Sequence, residues 1–159
     1  MVKRIVSGGQ SGVDRAALDA AEMLGLERGG WCPKGRWAED GPIPESYPLK
    51  ETRARSPSGR TRANVRDSDA TLIFTDGAPT GGTRLTLAIA EQLKKPCLCV
   101  DFSLGTEATM VRRWIRESGA EILNVAGPRE SHSPGIYDMA HGFLLMALKP
   151  WAGGSRKGR

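Results

Sequence analysis

The sequence contains no apolar run near the ~20 residues that cross a bilayer, and its first residues lack the apolar stretch of a secretory signal. We therefore expect a cytoplasmic protein that does not enter a membrane. Cysteine is scarce: the three residues Cys32, Cys97 and Cys99 are too few and odd in number for a disulfide framework. Neither histidine, His132 or His141, has metal-ligand spacing to a cysteine, so we expect no structural metal.

The chain also carries only a small excess of positive charge. The net charge is +5, and Arg156, Lys157 and Arg159 contribute three of these charges, which leaves too little elsewhere to indicate binding of duplex nucleic acid. The length of 159 residues fits one domain. We expect residues 1–150 to form a single ligand-binding domain and residues 151–159 to form a basic, disordered tail.

The sequence is rich in glycine, with 20 residues. Many of the glycines lie between predicted strands and helices, which alternate along the chain. Apolar periodicity predicts strands at 3–7, 70–75, 96–100 and 121–125, and helices at 13–25, from residue 60, at 83–93, 106–118 and 134–148. This order predicts an α/β fold: a three-layer, open, mostly parallel sheet with helices on both faces. Residues 28–59 show no long element, apart from a short strand within 47–52, and a loop of that length is typically functional or disordered.

The first glycine corner joins the first strand to the first helix and consists of Gly8, Gly9, Gln10, Ser11 and Gly12. Backbone amides can approach an anion where side chains are missing, and a helix N-terminus adds partial positive charge. Ser11 and Asp14 also have the spacing of a capping box. Because a carboxylate competes with an anionic ligand, Asp14 either caps the helix, pairs with Arg15 or accepts a hydrogen bond from a ligand. A tight turn without a ligand is the alternative.

The second glycine corner, residues 76–83, also leads from a strand into a helix and contains Gly81, Gly82 and Thr83. Thr83 is suited to an N-cap or a phosphate contact. Ligands of open α/β sheets bind beyond the carboxyl ends of the strands. Two such corners at one edge therefore favour a shared site for a nucleotide-like ligand.

Cationic candidates for this site come from several segments. Between residues 53 and 66 there are five arginines and no acid, which is typical of a solvated face or, alternatively, of an anion-binding wall. Arg15 and Lys34 are further candidates. Arg129 either holds a phosphate or forms a salt bridge with Glu130 or a subunit contact. Trp31 and Trp37 either stack on a heterocycle or anchor a loop that has no core.

Five blocks together resemble the molybdenum cofactor carrier protein family over roughly residues 4–148. They are SGGQSGVDRAALDAA (7–21), GGWCPKGRWAEDG (29–41), RTRANVRDSD (60–69), TGGT (80–83) and NVAGPRES (124–131). The resemblance implies a Rossmann-like fold, related to lysine-decarboxylase-like proteins and phosphoribohydrolases. It also implies a homo-oligomer, dimer or tetramer, that binds molybdenum cofactor (molybdopterin). From the matching motifs, the resemblance further implies that residues 8–12 and 81–83 belong to the loops that bind the ligand.

One departure separates the chain from its enzymatic relatives. The phosphoribohydrolases carry a Gly-Gly-x-Gly-Thr-x-x-Glu pattern whose glutamate assists glycosidic cleavage, whereas the third residue after Thr83 is Thr86. A hydroxyl cannot stabilise an oxocarbenium-like centre as a carboxylate does. Hydrolysis is disfavoured unless Asp14 or Asp40 substitutes. We predict a carrier for a phosphorylated heterocycle, most specifically molybdenum cofactor, with a nucleotide-processing enzyme or a nucleotide-ligand sensor as alternatives.

Overall fold

A computed structural model describes residues 1–154. The strands are β1 (Arg4–Val6), β2 (Glu27–Gly29), β3 (Trp31–Cys32), β4 (Trp37–Ala38), β5 (Gly41–Pro42), β6 (Lys50–Glu51), β7 (Ala70–Thr75), β8 (Cys97–Asp101) and β9 (Ile122–Ala126). The helices are α1 (Val13–Met23), α2 (Pro57–Arg66), α3 (Gly81–Gln92), α4 (Ala108–Ser118) and α5 (Ile136–Leu148), with short 3-10 turns at Phe102–Leu104 and Lys149–Trp151. The strands and helices predicted from periodicity are confirmed, with ends shifted by a few residues.

Five strands form one parallel sheet in the order β2-β1-β9-β7-β8. β9, the last strand of the chain, lies between β1 and β7. The carboxyl ends of these three central strands therefore meet at one edge of the sheet, where the strand order reverses. This is the position at which open α/β sheets bind ligands.

Strand β7 shows why the fold has three layers. All six of its side chains are buried, as expected of a strand covered on both faces. Ala70, Leu72 and Phe74 join the main core together with α1, α4 and α5. Alternate residues of a strand point to the opposite face, and there Val65 of α2 and Ile89 of α3 form a smaller core cluster. The predicted three-layer α/β fold is confirmed.

The segment without a predicted long element is built from short pairings. It begins with β2, an edge strand of the sheet that periodicity did not reveal, and β3 pairs with β6 while β4 and β5 form a hairpin. At its centre lies Arg36, whose backbone φ is 54°. Its guanidinium donates hydrogen bonds of 2.8–3.3 Å to the carbonyl oxygens of Ile43, Pro44, Tyr47 and Leu49. One arginine thus satisfies much of the backbone of this segment.

Two tryptophans fix the same segment to its surroundings. The Trp31 indole donates to an Asp67 carboxylate oxygen at 2.8 Å, and the Trp37 indole donates to the Arg55 carbonyl at 3.3 Å. The guanidinium of Arg66 is the first cause that holds the pKa of Asp67 down, at about 2. Of the two interpretations of these tryptophans, the structure therefore favours loop anchoring.

The three cysteines lie in different environments. Cys97 and Cys99 both lie on β8 at the edge of the sheet, where Cys97 is half-buried and Cys99 exposed. Because an edge strand has a neighbour on one side only, part of its surface remains open to solvent. Cys32 is buried with Ala38 and Ile43 in a small cluster, and all three thiols are free.

The carboxyl-terminal boundary also differs from the expected one at residue 150. Trp151 closes a 3-10 turn and is only 7% exposed. The Gly153 amide donates to the Leu24 carbonyl at 2.7 Å. Folded structure therefore continues past residue 150, while residues 155–159 of the predicted tail lie outside the described residues. Within residues 1–154, no helix has the length and apolarity needed to cross a membrane.

Candidate ligand-binding site

A cavity of about 370 Å³ lies beyond the carboxyl ends of the three central strands. This volume falls within the range of small-molecule sites, ~300–1,000 Å³. Both glycine corners reach the cavity, as does the loop after β9. Its lining residues are Gly8, Gln10, Asp14, Arg60, Thr61, Asn64, Thr80, Gly81, Gly82, Thr83, Thr86, Asn124, Val125, Ala126, Gly127, Pro128, Arg129, Ser131 and His132.

The second corner delivers the N-terminus of α3 to this cavity. Thr80 occupies the N-cap position in extended backbone conformation but makes no side-chain cap. The amides of Gly81 and Gly82 have no acceptor among the described residues. The first amides of a helix point outwards and carry partial positive charge. This corner therefore offers two free donors to an anion.

The first corner uses its amides differently. The Gln10 amide donates to an Asp14 carboxylate oxygen at 3.3 Å, and the Ser11 amide donates to the Gln10 side-chain oxygen at 3.0 Å. The Val13 amide donates to the Pro128 carbonyl at 3.2 Å. Two of the five amides of the corner, and the Val13 amide that follows it, are thus satisfied by the protein itself. Of this corner, Gly8 and Gln10 line the cavity, whereas Gly9, Ser11 and Gly12 do not.

The expected capping box at the start of α1 does not form. Gly12 is the N-cap and no side chain caps it. The Ser11 hydroxyl instead donates a short hydrogen bond to Glu39 and accepts one from the Glu130 amide at 3.2 Å. The prediction failed because a carboxylate from a distant loop competes for the hydroxyl more strongly than a local amide does.

Asp14 is a buried carboxyl at the floor of the cavity, with 7% of its surface exposed. Burial raises its pKa above the ordinary value, and the charges of Arg60 and Arg15 oppose that rise without cancelling it. No ion pair among residues 1–154 includes Asp14. A carboxyl kept in low dielectric without a cation is costly, which makes this position a candidate for ligand contact.

The loop after β9 lines part of the cavity and is held by Glu39. The Glu39 carboxylate accepts from the Ser131 amide at 3.1 Å and from the Ser131 hydroxyl at 2.5 Å. Hydrogen bonds from Ser11 and Ser131 keep the pKa of Glu39 below its ordinary value. A guanidinium nitrogen of Arg129 lies 3.9 Å from the same carboxylate. Arg129 therefore lines the cavity from a fixed loop, and its expected partner Glu130 is engaged elsewhere, with the amides of 135 and 137.

Two cavity residues connect neighbouring elements. The guanidinium of Arg60, on α2, donates to the Gly8 carbonyl at 3.0 Å and so lies against the first corner. His132 and Thr80 are joined by a side-chain hydrogen bond of 3.2 Å, which links the loop after β9 to the second corner. The cavity wall thus carries the cationic side chains of Arg60 and Arg129 beside the free amides of α3.

Besides Gly9, Ser11 and Gly12, three further predicted site residues do not line the cavity: Arg15, Lys34 and Asp40. Arg15 forms a bidentate pair with Asp40 at 3.0 and 3.1 Å, and its Nε donates to the Gly9 carbonyl. Lys34 is exposed on the 28–52 segment and does not line the cavity. Asp14 and Asp40 are the two acids that could replace the glutamate of the hydrolase pattern. Asp14 lines the cavity, whereas Asp40 does not.

Sequence reasoning missed several lining residues: Thr61, Asn64, Thr86, Asn124 and His132. Asn64 accepts from the Trp31 amide at 2.8 Å and donates to the Trp31 carbonyl at 3.0 Å, so it joins α2 to β3. The signal for Arg60 was present in the acid-free arginine run. Thr86 does line the cavity, and its hydroxyl donates to the Gly82 carbonyl at 2.9 Å. A hydroxyl thus occupies the position where the hydrolase pattern has glutamate.

The protein has a parallel sheet with helices on both faces and a cavity where the strand order reverses. This arrangement defines a Rossmann-like protein, and the cavity lies where such proteins bind small ligands. The chain belongs to the circularly permutated YpsA SLOG family, whose sequence profile matches residues 5–148. The resemblance drawn from the motifs is confirmed by a crystal structure, described as that of a "putative molybdenum carrier protein" from Syntrophus aciditrophicus SB. It is 45% identical to this chain, with a TM-score of 0.91 over 92% of this chain and 95% of the other. No curated protein matches the chain.

Proposed function

We propose that the protein is a carrier that binds a phosphorylated heterocycle, most specifically molybdenum cofactor, without changing it chemically. The observation that carries the proposal is the uncapped N-terminus of α3, which lines the same cavity as Arg129. Free amides and a guanidinium are the groups that bind phosphate in proteins. The name of the similar crystal structure supports a molybdenum-related ligand.

The donor set fits the chemistry of this ligand. Molybdopterin has a phosphate, suited to the amides of Gly81 and Gly82, and a flat pterin. An oxyanionic molybdenum end would be complemented by Arg60 or Arg129, which both line the cavity. Among the described residues, no three His, Cys, Asp or Glu side chains cluster as a metal site would require. The proposed ligand therefore enters as an intact cofactor bound through its organic part and its oxyanion.

Retention of the cofactor tests the proposal. The protein is purified from a host that makes molybdenum cofactor and from one that cannot, and bound molybdenum and pterin fluorescence are measured. We expect near-stoichiometric molybdenum and pterin from the first host only. Added cofactor, released from a donor molybdoenzyme, should also survive longer with the protein than in buffer. Failure both to retain and to protect it would contradict the proposal.

A matched pair of variants makes the test specific. A Cβ at Gly82 meets nothing within 4 Å, so the Cβ of Gly82→Val has room and its methyl groups add bulk to the proposed phosphate site. Gly59 lies in the first turn of α2, outside the cavity, and its Cβ also meets nothing. We expect Gly82→Val to lose the cofactor and Gly59→Val to keep it. Equal retention by both variants would exclude the α3 N-terminus as the site.

A second candidate, a nucleotide-processing enzyme of the phosphoribohydrolase type, is favoured by one observation. Asp14 is a cavity carboxyl whose pKa is raised by burial, as is common for general acids. Incubation with nucleoside monophosphates followed by chromatography tests this function. Release of free base that is lost in Asp14→Asn but kept in Asp40→Asn would establish the enzyme. Nucleotide binding without turnover, and without preference for the cofactor, would instead indicate a sensor.

We also propose that the protein is a cytoplasmic homo-oligomer, dimer or tetramer. The three free thiols fit a reducing compartment. Large apolar side chains are exposed on α4 and α5, among them Met110, Met139 and Met146, and such surface is often covered in oligomers. Light scattering on the purified protein measures the mass directly. A monomer at all concentrations would contradict this part.

A further inference from the structure

We propose that Asp14 binds the hydrogen-bond-donor edge of the ligand, and that the ligand class is therefore a 2-amino-4-oxo heterocycle of the pterin or guanine type rather than an adenine-type ring. This inference rests on the proposed binding function and makes it more specific. It assigns the organic ring to the floor of the cavity and the anionic group to the N-terminus of α3.

The first step is that Asp14 lacks a cationic partner although arginines are close. Arg15 is committed to Asp40, and Arg60 donates to the Gly8 carbonyl. No ion pair among the described residues involves Asp14, which is more than nine-tenths buried. Buried carboxyls are normally paired or hydrogen-bonded. The cavity side of this carboxyl is where a ligand can supply the missing donors.

The second step is the remaining hydrogen-bonding capacity of the carboxyl. Its one direct backbone donor is the Gln10 amide at 3.3 Å. Ser7 also approaches it, but the Ser7 hydroxyl donates its single proton to the Val125 carbonyl at 2.6 Å. A carboxylate has two oxygens with about four acceptor sites. Most of this capacity remains for a ligand.

The third step is that the cavity lining offers both donors and an acceptor. The free amides of Gly81 and Gly82 are donors. Asp14 lines the same cavity and is an acceptor. A ligand that satisfies both carries an anionic group for the amides and N–H donors for the carboxyl.

The fourth step selects the ring. Pterins and guanine present a ring N–H beside an exocyclic amino group, and these two parallel donors match a carboxylate in the bidentate manner. Adenine presents one amino group beside a ring nitrogen lone pair, which a carboxylate repels. A site with a buried acceptor discriminates strongly against analogues that lack the donor.

Four nucleotides with the same phosphate and ribose test the inference: GMP, IMP, AMP and XMP, titrated by calorimetry. We expect wild type to prefer GMP over IMP and AMP by about 10- to 100-fold, because each hydrogen bond to a charged group contributes ~1.5–3 kcal/mol. Asp14→Asn retains an oxygen and adds an N–H donor, so it should lose the GMP preference and gain affinity for XMP. Asp40→Asn, outside the cavity, is the matched control and should behave as wild type.

The outcomes separate this inference from the proposed function. Equal binding of all four nucleotides by wild type overturns the role of Asp14 and leaves the phosphate site standing. Absence of binding by the nucleotides and by inorganic phosphate overturns both. The wild-type ranking requires no variant, so it decides the question even if Asp14→Asn fails to fold.

Discussion

The two glycine corners look alike in the sequence but differ in what surrounds them. In the first corner every glycine is crowded: a Cβ at Gly8 would lie 2.8 Å from the Arg60 side chain, one at Gly9 2.6 Å from Leu49, and one at Gly12 against the Pro128 carbonyl. In the second corner, Cβ atoms at 77, 81 and 82 would meet nothing within 4 Å.

The difference shows that glycine serves two purposes at one sheet edge. In the first corner the missing side chains let other elements pack against the backbone, and the amides of Gln10 and Ser11 already donate within the protein. In the second corner the missing side chains leave the amides of α3 open to the cavity. We therefore expect the first corner to support the fold and the second to support binding, and four substitutions test this division.

The largest effect is expected for Gly12→Ala. Gly12 has φ +77°, and its added methyl would clash with the backbone at Pro128 and Glu130, which cannot move away as a flexible side chain can. We expect a loss of about 3 kcal/mol or more in the free energy of unfolding. Urea denaturation measures it. A loss below about 1 kcal/mol would mean that the two loops do not depend on this close approach.

The next effect concerns Glu39, which joins Ser11 of the first corner to Ser131 of the loop after β9. Glu39→Gln should cost about 1–2 kcal/mol at neutral pH, because charge-assisted hydrogen bonds are lost. The same variant should expose the amides of 129–132 to faster hydrogen exchange.

The pH dependence gives this prediction its control. The pKa of Glu39 is lowered in the folded protein, so its stabilisation is present above its ordinary value of 4.5 and is lost as the pH falls through the lower, folded pKa. The gap between wild type and Glu39→Gln should therefore close in acid. A gap that is independent of pH would indicate a packing effect instead of the carboxylate.

The fold could be predicted from the sequence because its signals are local. The near-continuous apolar run 70–75 and the helical spacing in 13–25 each reflect one element packed on the core. Their alternation then limits the topology to a parallel three-layer sheet. The edge strand β2 was missed because three residues, of which only one is buried, carry too little periodicity.

The site could be predicted only in outline. Its loops follow from the strand ends, but Asn64 and His132 reach the cavity from α2 and from the loop after β9, and such long-range contacts leave no pattern in spacing. Ser11 and Arg15 were expected to act near Asp14, but they bond to Glu39 and Asp40. These two acids lie on a distant loop, so spacing along the sequence does not reveal the contacts. Whether a glycine is crowded or open is likewise decided by residues far along the chain.

A smaller effect, opposite in sign, is expected for Asp14→Asn. Burial raises the pKa of Asp14, so the folded protein binds this proton more tightly than the unfolded chain does, and the charged carboxylate destabilises the fold at neutral pH. The variant should raise the free energy of unfolding by about 1 kcal/mol. The gain should vanish as the pH falls below the ordinary value of 3.8. A loss of stability at neutral pH would show that the Gln10 contact outweighs the burial of charge.

The smallest change in stability is expected for Gly82→Ala, and it completes the comparison with Gly12. Its methyl meets nothing within 4 Å, and its φ is not in the left-handed region. Replacing glycine by alanine in a helix is neutral or stabilising, by up to ~0.5–1 kcal/mol. We therefore expect an unchanged or slightly higher melting temperature together with weaker binding of inorganic phosphate, measured by calorimetry. If Gly82→Ala destabilised the protein as much as Gly12→Ala, the two corners would be equivalent and the division between folding and binding would be wrong.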